Sequence, residues 1–123
     1  MKLKPAHKEK RRYIFLRFDT QKKLGAREAA QIIESAYLEF FGQLGFAQAN
    51  PMFLTELWHF PYGVVRIGHK YPHNFKCAML FAKNFKGENI RICCLSVSGS
   101  LKKIKAMLKE GKNADFTATS NGL

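Results

Sequence analysis

Ser98-Gly99-Ser100, followed at once by Leu101-Lys102-Lys103-Ile104-Lys105, is the segment whose residue types and spacing point most sharply to chemistry. A hydroxyl-glycine-hydroxyl turn leading into a helix leaves backbone amides at the positive end of the helix dipole, a ready seat for a phosphate. Gly99 would let an anion approach the backbone closely, Ser100 suits the cap, and Lys102 and Lys103 fall within the first turn. The same residues would also make an ordinary capped helix start facing solvent. Two other basic segments favour the anion. One is the N-terminal stretch, where Lys2, Lys4, Lys8, Lys10, Arg11 and Arg12 stand against the single acid Glu9. The other is Arg66-Ile67-Gly68-His69-Lys70 with Tyr71. The candidate phosphate contacts are therefore Lys8, Lys10, Arg11, Arg12, Arg66, Lys70, Ser98, Gly99, Ser100, Lys102, Lys103 and Lys105.

The whole chain supports this. Its 21 Lys and Arg outnumber 9 Asp and Glu, for a formal charge of +12 in 123 residues. Self-repulsion of that size destabilises a compact fold, and a polyanionic partner that neutralises it is the usual reason to keep it. Nucleic acid leads, ahead of an anionic membrane surface and of charge kept for solubility.

Catalytic chemistry has little to stand on. The acids are scattered, so the clustered carboxylates of a metal-dependent nuclease are missing. There is no CxxC pair, no GK[ST] phosphate loop and no GxGxxG. His69, His73 and Cys77 are spaced by four, as zinc ligands on one helix face would be. Pro72 opens the helix after His69, however, and no fourth ligand is evident, so no metal is expected. Cys77, Cys93 and Cys94 are odd in number and two are adjacent, which suits small core residues of a reducing compartment better than disulfides. No apolar run has the length of a signal peptide or a membrane span. The expected location is cytoplasmic, with no membrane partner.

The elements that must position the basic segments follow from apolar periodicity. Tyr13–Phe18 predicts a strand with Ile14, Leu16 and Phe18 on one face and Tyr13, Phe15 and Arg17 on the other. The second set is a candidate face for a partner or for RNA. Ala29, Ile32, Ile33, Ala36, Tyr37, Phe40, Phe41 and Leu44 form a helical stripe over Ala26–Leu44, ended at Gly45. Met52–Leu57 and Gly63–Gly68 predict two strands, the latter without an aromatic residue. A second helix opens at Pro72 and runs to about Phe85. Ile90–Val97 is so continuously apolar that it predicts a central strand covered on both faces. Leu101, Ile104 and Leu108 mark a last helix over Leu101–Glu110, and residues 112–123 predict a flexible tail.

The order β-α-β-β-α-β plus a terminal helix predicts an α+β, ferredoxin-like or RRM-like sandwich over residues 12–111, after a flexible basic arm over residues 1–11. Two helices should cover one face of a four-stranded antiparallel sheet and leave the other free for a partner. RRM domains stack bases on aromatics of the first and third strands. With Tyr13 and Phe15 on the first strand only, phosphate and shape recognition of a folded RNA fits better than base stacking.

Four segments carry a family resemblance. RRYIFLRF at 11–18, YLEFFGQLGFAQANP at 37–51, YGVVRI at 62–67 and LSVSGSLKKIK at 95–105 are similar, in this order, to the protein component 2 family of archaeal ribonuclease P. The resemblance implies an accessory RNA-binding subunit with an RRM-like fold. The ribonuclease P RNA would then be the catalyst, using Mg2+ to remove the 5′ leader of precursor tRNA, and the protein itself would need no cofactor. It implies pairing with protein component 3, a TIM-barrel-like subunit, in a heterotetramer that stabilises the RNA's catalytic domain. A homodimer contact belongs to the same picture, and precursor tRNA is reached indirectly. Carried onto this chain, the RNA-facing residues are the Arg11-Arg12 region with Ser98, Gly99, Ser100, Lys102 and Lys103. Charge and fold alone would also suit a ribosomal or rRNA-processing protein. A ferredoxin-like ligand sensor would have no need of +12, and an independent enzyme would need the missing acid cluster.

Overall fold

The computed structural model describes residues 10–120. Residues 1–9, most of the expected arm and Lys8 with it, lie outside the described residues, as do residues 121–123. Strand β1 (Arg11–Asp19) is followed by helix α1 (Ala26–Ala49), strands β2 (Met52–Phe53) and β3 (Tyr62–Gly68), and helix α2 (Pro72–Met79). A small hairpin β4–β5 (Asn84–Phe85, Glu88–Asn89), strand β6 (Arg91–Ser98) and helix α3 (Leu101–Ser120) complete the chain. The four-stranded antiparallel sheet has the order β2-β3-β1-β6, the ferredoxin-like arrangement that the element order predicts.

Alternation along β1 divides the core in two. Ile14, Leu16 and Phe18 are buried against α1 and α2, beside Ile33, Tyr37, Val65, Ile67 and Phe75. Tyr37 anchors that layer, its ring centroid 6.2 Å from that of Phe75. The opposite face, expected to be free, is covered. Helix α3 lays Ile104 and Leu108 on Phe15, Tyr62, Val64 and Leu54, making a second buried layer. Phe15 is therefore no open partner face; only 5% of it is exposed.

Helix α3 runs to Ser120, ten residues past the Glu110 end that its apolar edge marks. Four other boundaries depart from the periodicity, each for a local reason. Gly42 adopts φ 78°, kinking α1, which resumes and ends at Asn50, a left-handed residue at φ 49° whose N–H donates to the Phe46 carbonyl. Gly45 lies inside that second segment and stops nothing. Only Met52–Phe53 form strand β2, since Thr55–Leu57 turn as a 3₁₀ helix. Helix α2 ends at Met79, after Phe75, Ala78 and Met79 have used its buried face. The chain then makes the β4–β5 hairpin around Lys86 and Gly87, both with positive φ (49° and 84°), as a two-residue type I′ turn requires.

Strand β6 is an edge strand rather than a central one. A bulge explains why its alternation is hidden. Phe15 pairs with Ser96 but Leu16 pairs with Cys94, so Leu95 is the extra residue. Ile92 and Cys94 face α1 and α2 before it, and Val97 does so after it. Leu95 is left 45% exposed.

One glycine makes a sharp stability prediction. A Cβ on Gly63 of β3 would lie 2.9 Å from Phe53 Cε1 and 3.0 Å from Trp58 Cε3. Neither ring can step aside freely. Trp58 Nε1 donates to the Leu24 carbonyl at 3.0 Å, and its ring packs edge-on against Phe18. Gly63→Ala should therefore cost about 1–3 kcal/mol by overpacking. Urea denaturation checks it; an unchanged midpoint would mean that the rings yield.

Candidate nucleic-acid interface

Strand register brings the basic segments to one end of the sheet. Arg11 of β1 pairs with Gly68 of β3, and Tyr13 pairs with Ser98, the last residue of β6. Beyond that end, the His69 N–H donates to the Lys10 carbonyl at 3.0 Å. Lys10, Arg11, Arg12 and the His69-Lys70 turn thus adjoin the start of α3. Lys10, Arg12, Lys70, Lys102, Lys103 and Lys105 are all exposed.

The turn into α3 is built by its two serines. Ser98 Oγ accepts the Ser100 N–H at 3.0 Å, and Ser100 Oγ accepts the Lys103 N–H at 3.3 Å. The first helical bond runs from the Ile104 N–H to the Ser100 carbonyl. Ser100 is thus the N-cap, and the amides of Leu101 and Lys102 stand outside the helical ladder. Each serine hydroxyl that accepts a backbone N–H keeps its own hydrogen to donate. Arg12 lies over this turn, because a Cβ on Gly99 would sit 3.1 Å from Arg12 Nη1. A side chain there would push the exposed guanidinium back by a few tenths of an ångström. An arginine, two serines, two amides and the Lys102-Lys103 pair are thereby gathered in one place, which offers an anion both charge and directed donors.

Arg66 sits in the same cross-strand row, Met52–Arg66–Tyr13–Ser98, but it leans the other way. Its Nη2 lies 2.9 Å from Met52 Sδ, and its Nε is buried without a hydrogen-bond partner. Two strand spacings, about 10 Å, separate its strand from that of Ser98. It flanks the turn rather than forming part of it. Tyr13 stands half-buried between them.

Arg17 is at the opposite end of β1. Its Nε lies 3.3 Å from Asp19 Oδ1, and Asp19 Oδ2 lies 3.3 Å from Arg91 Nη2. An acid shared by two arginines offsets their charge, so this end differs from the end with Arg12. Tyr62, present in the YGVVRI segment, has a place in the layer under α3 that its spacing does not announce. It opens β3, pairs with Arg17, and stacks on Phe15 at 5.4 Å and 16°. Its only signal in the sequence is its place beside the Gly63–Gly68 run.

Beside the turn into α3 the charge is basic, and the first acid of that helix, exposed Glu110, comes two turns later. Glu28, Glu34 and Glu39 lie on α1, across the sheet from α3. Among the described residues no group of His, Cys, Asp and Glu could hold a metal ion. His73 Nε2 and Cys77 Sγ are 3.8 Å apart and stand alone. Among the described residues no helix is long and apolar enough to cross a membrane.

Cys94, facing the α1–α2 layer, has its thiol pushed up from 9 to about 11, first by burial, against a smaller opposing pull from Lys76. Alkylation of Cys94 should therefore keep accelerating up to about pH 11, as the thiolate fraction grows. The raised folded-state value means that the unfolded chain loses this proton first. The thiol thus favours unfolding as pH rises above 9. Mass-mapped iodoacetamide labelling across pH 7–11 checks this; a rate already level by pH 9 would contradict it.

Residues 12–109 match the model of the Rpp14/Pop5 family. The chain belongs to that family. It is 33% identical over 103 residues to the ribonuclease P protein component 2 of Methanocaldococcus jannaschii, covering 84% of this chain and 75% of the relative. It is 32% identical over 108 residues to the component 2 of Pyrococcus abyssi, covering 85% of this chain and 92% of the relative. A chain in the cryo-EM structure of yeast ribonuclease MRP shares the fold, with a TM-score of 0.62 at 13% identity over 91% of this chain and 95% of that one. Family membership places this chain among the ribonuclease P protein components, with archaeal relatives.

Proposed function

We propose that this chain is a non-catalytic, RNA-binding subunit of ribonuclease P. In this reading it supports the catalytic domain of the ribonuclease P RNA while that RNA, with Mg2+, removes the 5′ leader of precursor tRNA. The observation that carries the RNA contact is the convergence of Arg12, Gly99 and the capped start of α3 at the basic end of the sheet. The contacts are Lys10, Arg11, Arg12, Lys70, Ser98, Gly99, Ser100, Lys102, Lys103 and Lys105, with Arg66 at the flank. Lys8 is added to the RNA contacts on charge alone. The protein needs no cofactor of its own.

The family resemblance supports protein component 3, a TIM-barrel-like subunit, as its protein partner in a heterotetramer. Precursor tRNA is met through the RNA, in the cytoplasm. Gel-shift titration of the full chain against the catalytic domain of ribonuclease P RNA tests the assignment, with an rRNA fragment of equal length as competitor. Preference for the ribonuclease P RNA is expected. Equal or tighter binding of the rRNA fragment would contradict the assignment.

A further inference from the structure

We infer that the basic surface grips double-helical RNA through its phosphates and does not bind an unpaired strand by stacking its bases. The inference rests on the RNA-binding reading above and deepens it.

An RRM-like sheet reads single strands by stacking bases on exposed aromatics. Here two of those rings are consumed by the fold, and the third, Tyr13, is half-buried at the edge of the same layer. Phe15 and Tyr62 stack on each other and are only 5% and 7% exposed, beneath Ile104 and Leu108 of α3. Gly111 holds the helix close over them. Its Cβ position lies 3.3 Å from Tyr62 Cζ and 3.4 Å from Phe15 Cζ, so α3 continues across the two rings without a side chain to prise it away. Phe40 and Phe81 are exposed, but they stack on each other at 4.8 Å around a groove on the α1–α2 side, lined in part by Glu39. That groove lies on the face away from α3, and its one acid, Glu39, is balanced by Lys83, so it offers phosphates no net charge.

What α3 presents outward is a row of cations. Leu101, Ile104 and Leu108 turn towards the sheet, which leaves exposed Lys102, Lys105 and Lys109 as one stripe at intervals of three and four residues. Seven residues of helix span about 10 Å, and Arg12 with the Ser98-Gly99-Ser100 turn lies at the stripe's leading end. A rigid row of point charges without a stacking platform suits phosphates already held at fixed positions. A duplex supplies them. A flexible single strand would have to be ordered for phosphate contacts alone, without the stacking that normally offsets that entropy.

The test is fluorescence anisotropy with the full chain and two labelled RNAs of equal nucleotide number at one salt concentration. One is a hairpin of about 16 base pairs, the length that shape-reading duplex binders span; the other is oligouridylate. The hairpin should bind at least about tenfold more tightly, and Lys105→Ala with Lys109→Ala should lessen its log-log salt slope by about 1.8. The double variant should melt like the parent, because both side chains are exposed. Oligouridylate binding as tightly as the hairpin would overturn the inference and leave the RNA-binding reading standing. A variant that binds like the parent would remove the lysine stripe from the site. Failure of both RNAs to bind even at low salt would overturn the inference together with the reading beneath it.

Discussion

Ile104→Asp is expected to release α3 from the sheet. Ile104 is fully buried and sits with Leu108 on Phe15, Tyr62 and Val64. Losing an aliphatic side chain at such a site costs about 2–5 kcal/mol, before any penalty for placing a carboxylate in apolar surroundings. A domain of this size is stable by only about 5–15 kcal/mol in all. The two layers of the core differ in what they would lose. Tyr37, Phe75 and the α1–α2 side belong to the other layer, whereas the phosphate turn at Ser98–Lys103 depends on where α3 begins. The variant should therefore show a lowered urea midpoint, faster proteolysis within residues 101–111, and weakened RNA binding. A loss below about 1 kcal/mol would mean that α3 is only loosely seated. The sheet face would then be accessible after all.

Replacing Arg12, Lys102 and Lys103 together by Ala should have the largest effect on binding with the least on folding. All three side chains are exposed, and Ala is a strong helix former at both α3 positions. If each cation neutralises one phosphate of a duplex, the slope of log affinity against log salt should lessen by about 0.9 per contact, or about 2.7 in all. At 0.1 M salt that corresponds to roughly eightfold per contact and about five-hundredfold for three. Arg12→Ala alone should do more than a remote lysine because its guanidinium lies against Gly99. Filter binding at four salt concentrations measures both quantities. An unchanged slope would make the turn a helix cap and nothing more, and the contacts would then fall to Lys10, Arg11, Arg66 and Lys70.

How much of this was legible in the sequence differs from element to element. The α1 stripe of Ile32, Ile33 and Tyr37 and the alternation of β1 hold in the structure because one buried face dictates each pattern. The apolar edge of α3 was equally plain, but its destination was not. Alternation says which side of a sheet Phe15 faces, not what covers that side. The β6 run looked central because the bulge at Leu95 shifts its phase, so both parities carry apolar residues. Gly42, Gly45 and Gly87 are alike as letters. Their backbone angles decide that the first kinks a helix and the last closes a hairpin, while the second does neither.

The site follows the same division. Its charges were visible as three separate segments. That they meet at one end of the sheet is a matter of register, Arg11 opposite Gly68 and Tyr13 opposite Ser98. Placing Arg17 at the far end, beside Asp19 and away from the phosphate turn, needed the same register. The stacking partner of Phe15 stayed hidden because Tyr62 joins a strand whose start the sequence does not mark.

Magnesium dependence of precursor tRNA cleavage tests the central claim most directly. Ribonuclease P RNA would be assayed with component 3 alone, with component 3 plus this chain, and with component 3 plus the Arg12, Lys102 and Lys103 variant. Addition of the parent chain should shift the Mg2+ titration to lower concentration, because a protein that neutralises phosphates replaces counterions the folded RNA otherwise needs. The variant should shift it less, and the chain without RNA should cleave nothing. A titration that does not move when the parent chain is added, or cleavage by the chain in the absence of RNA, would contradict the account.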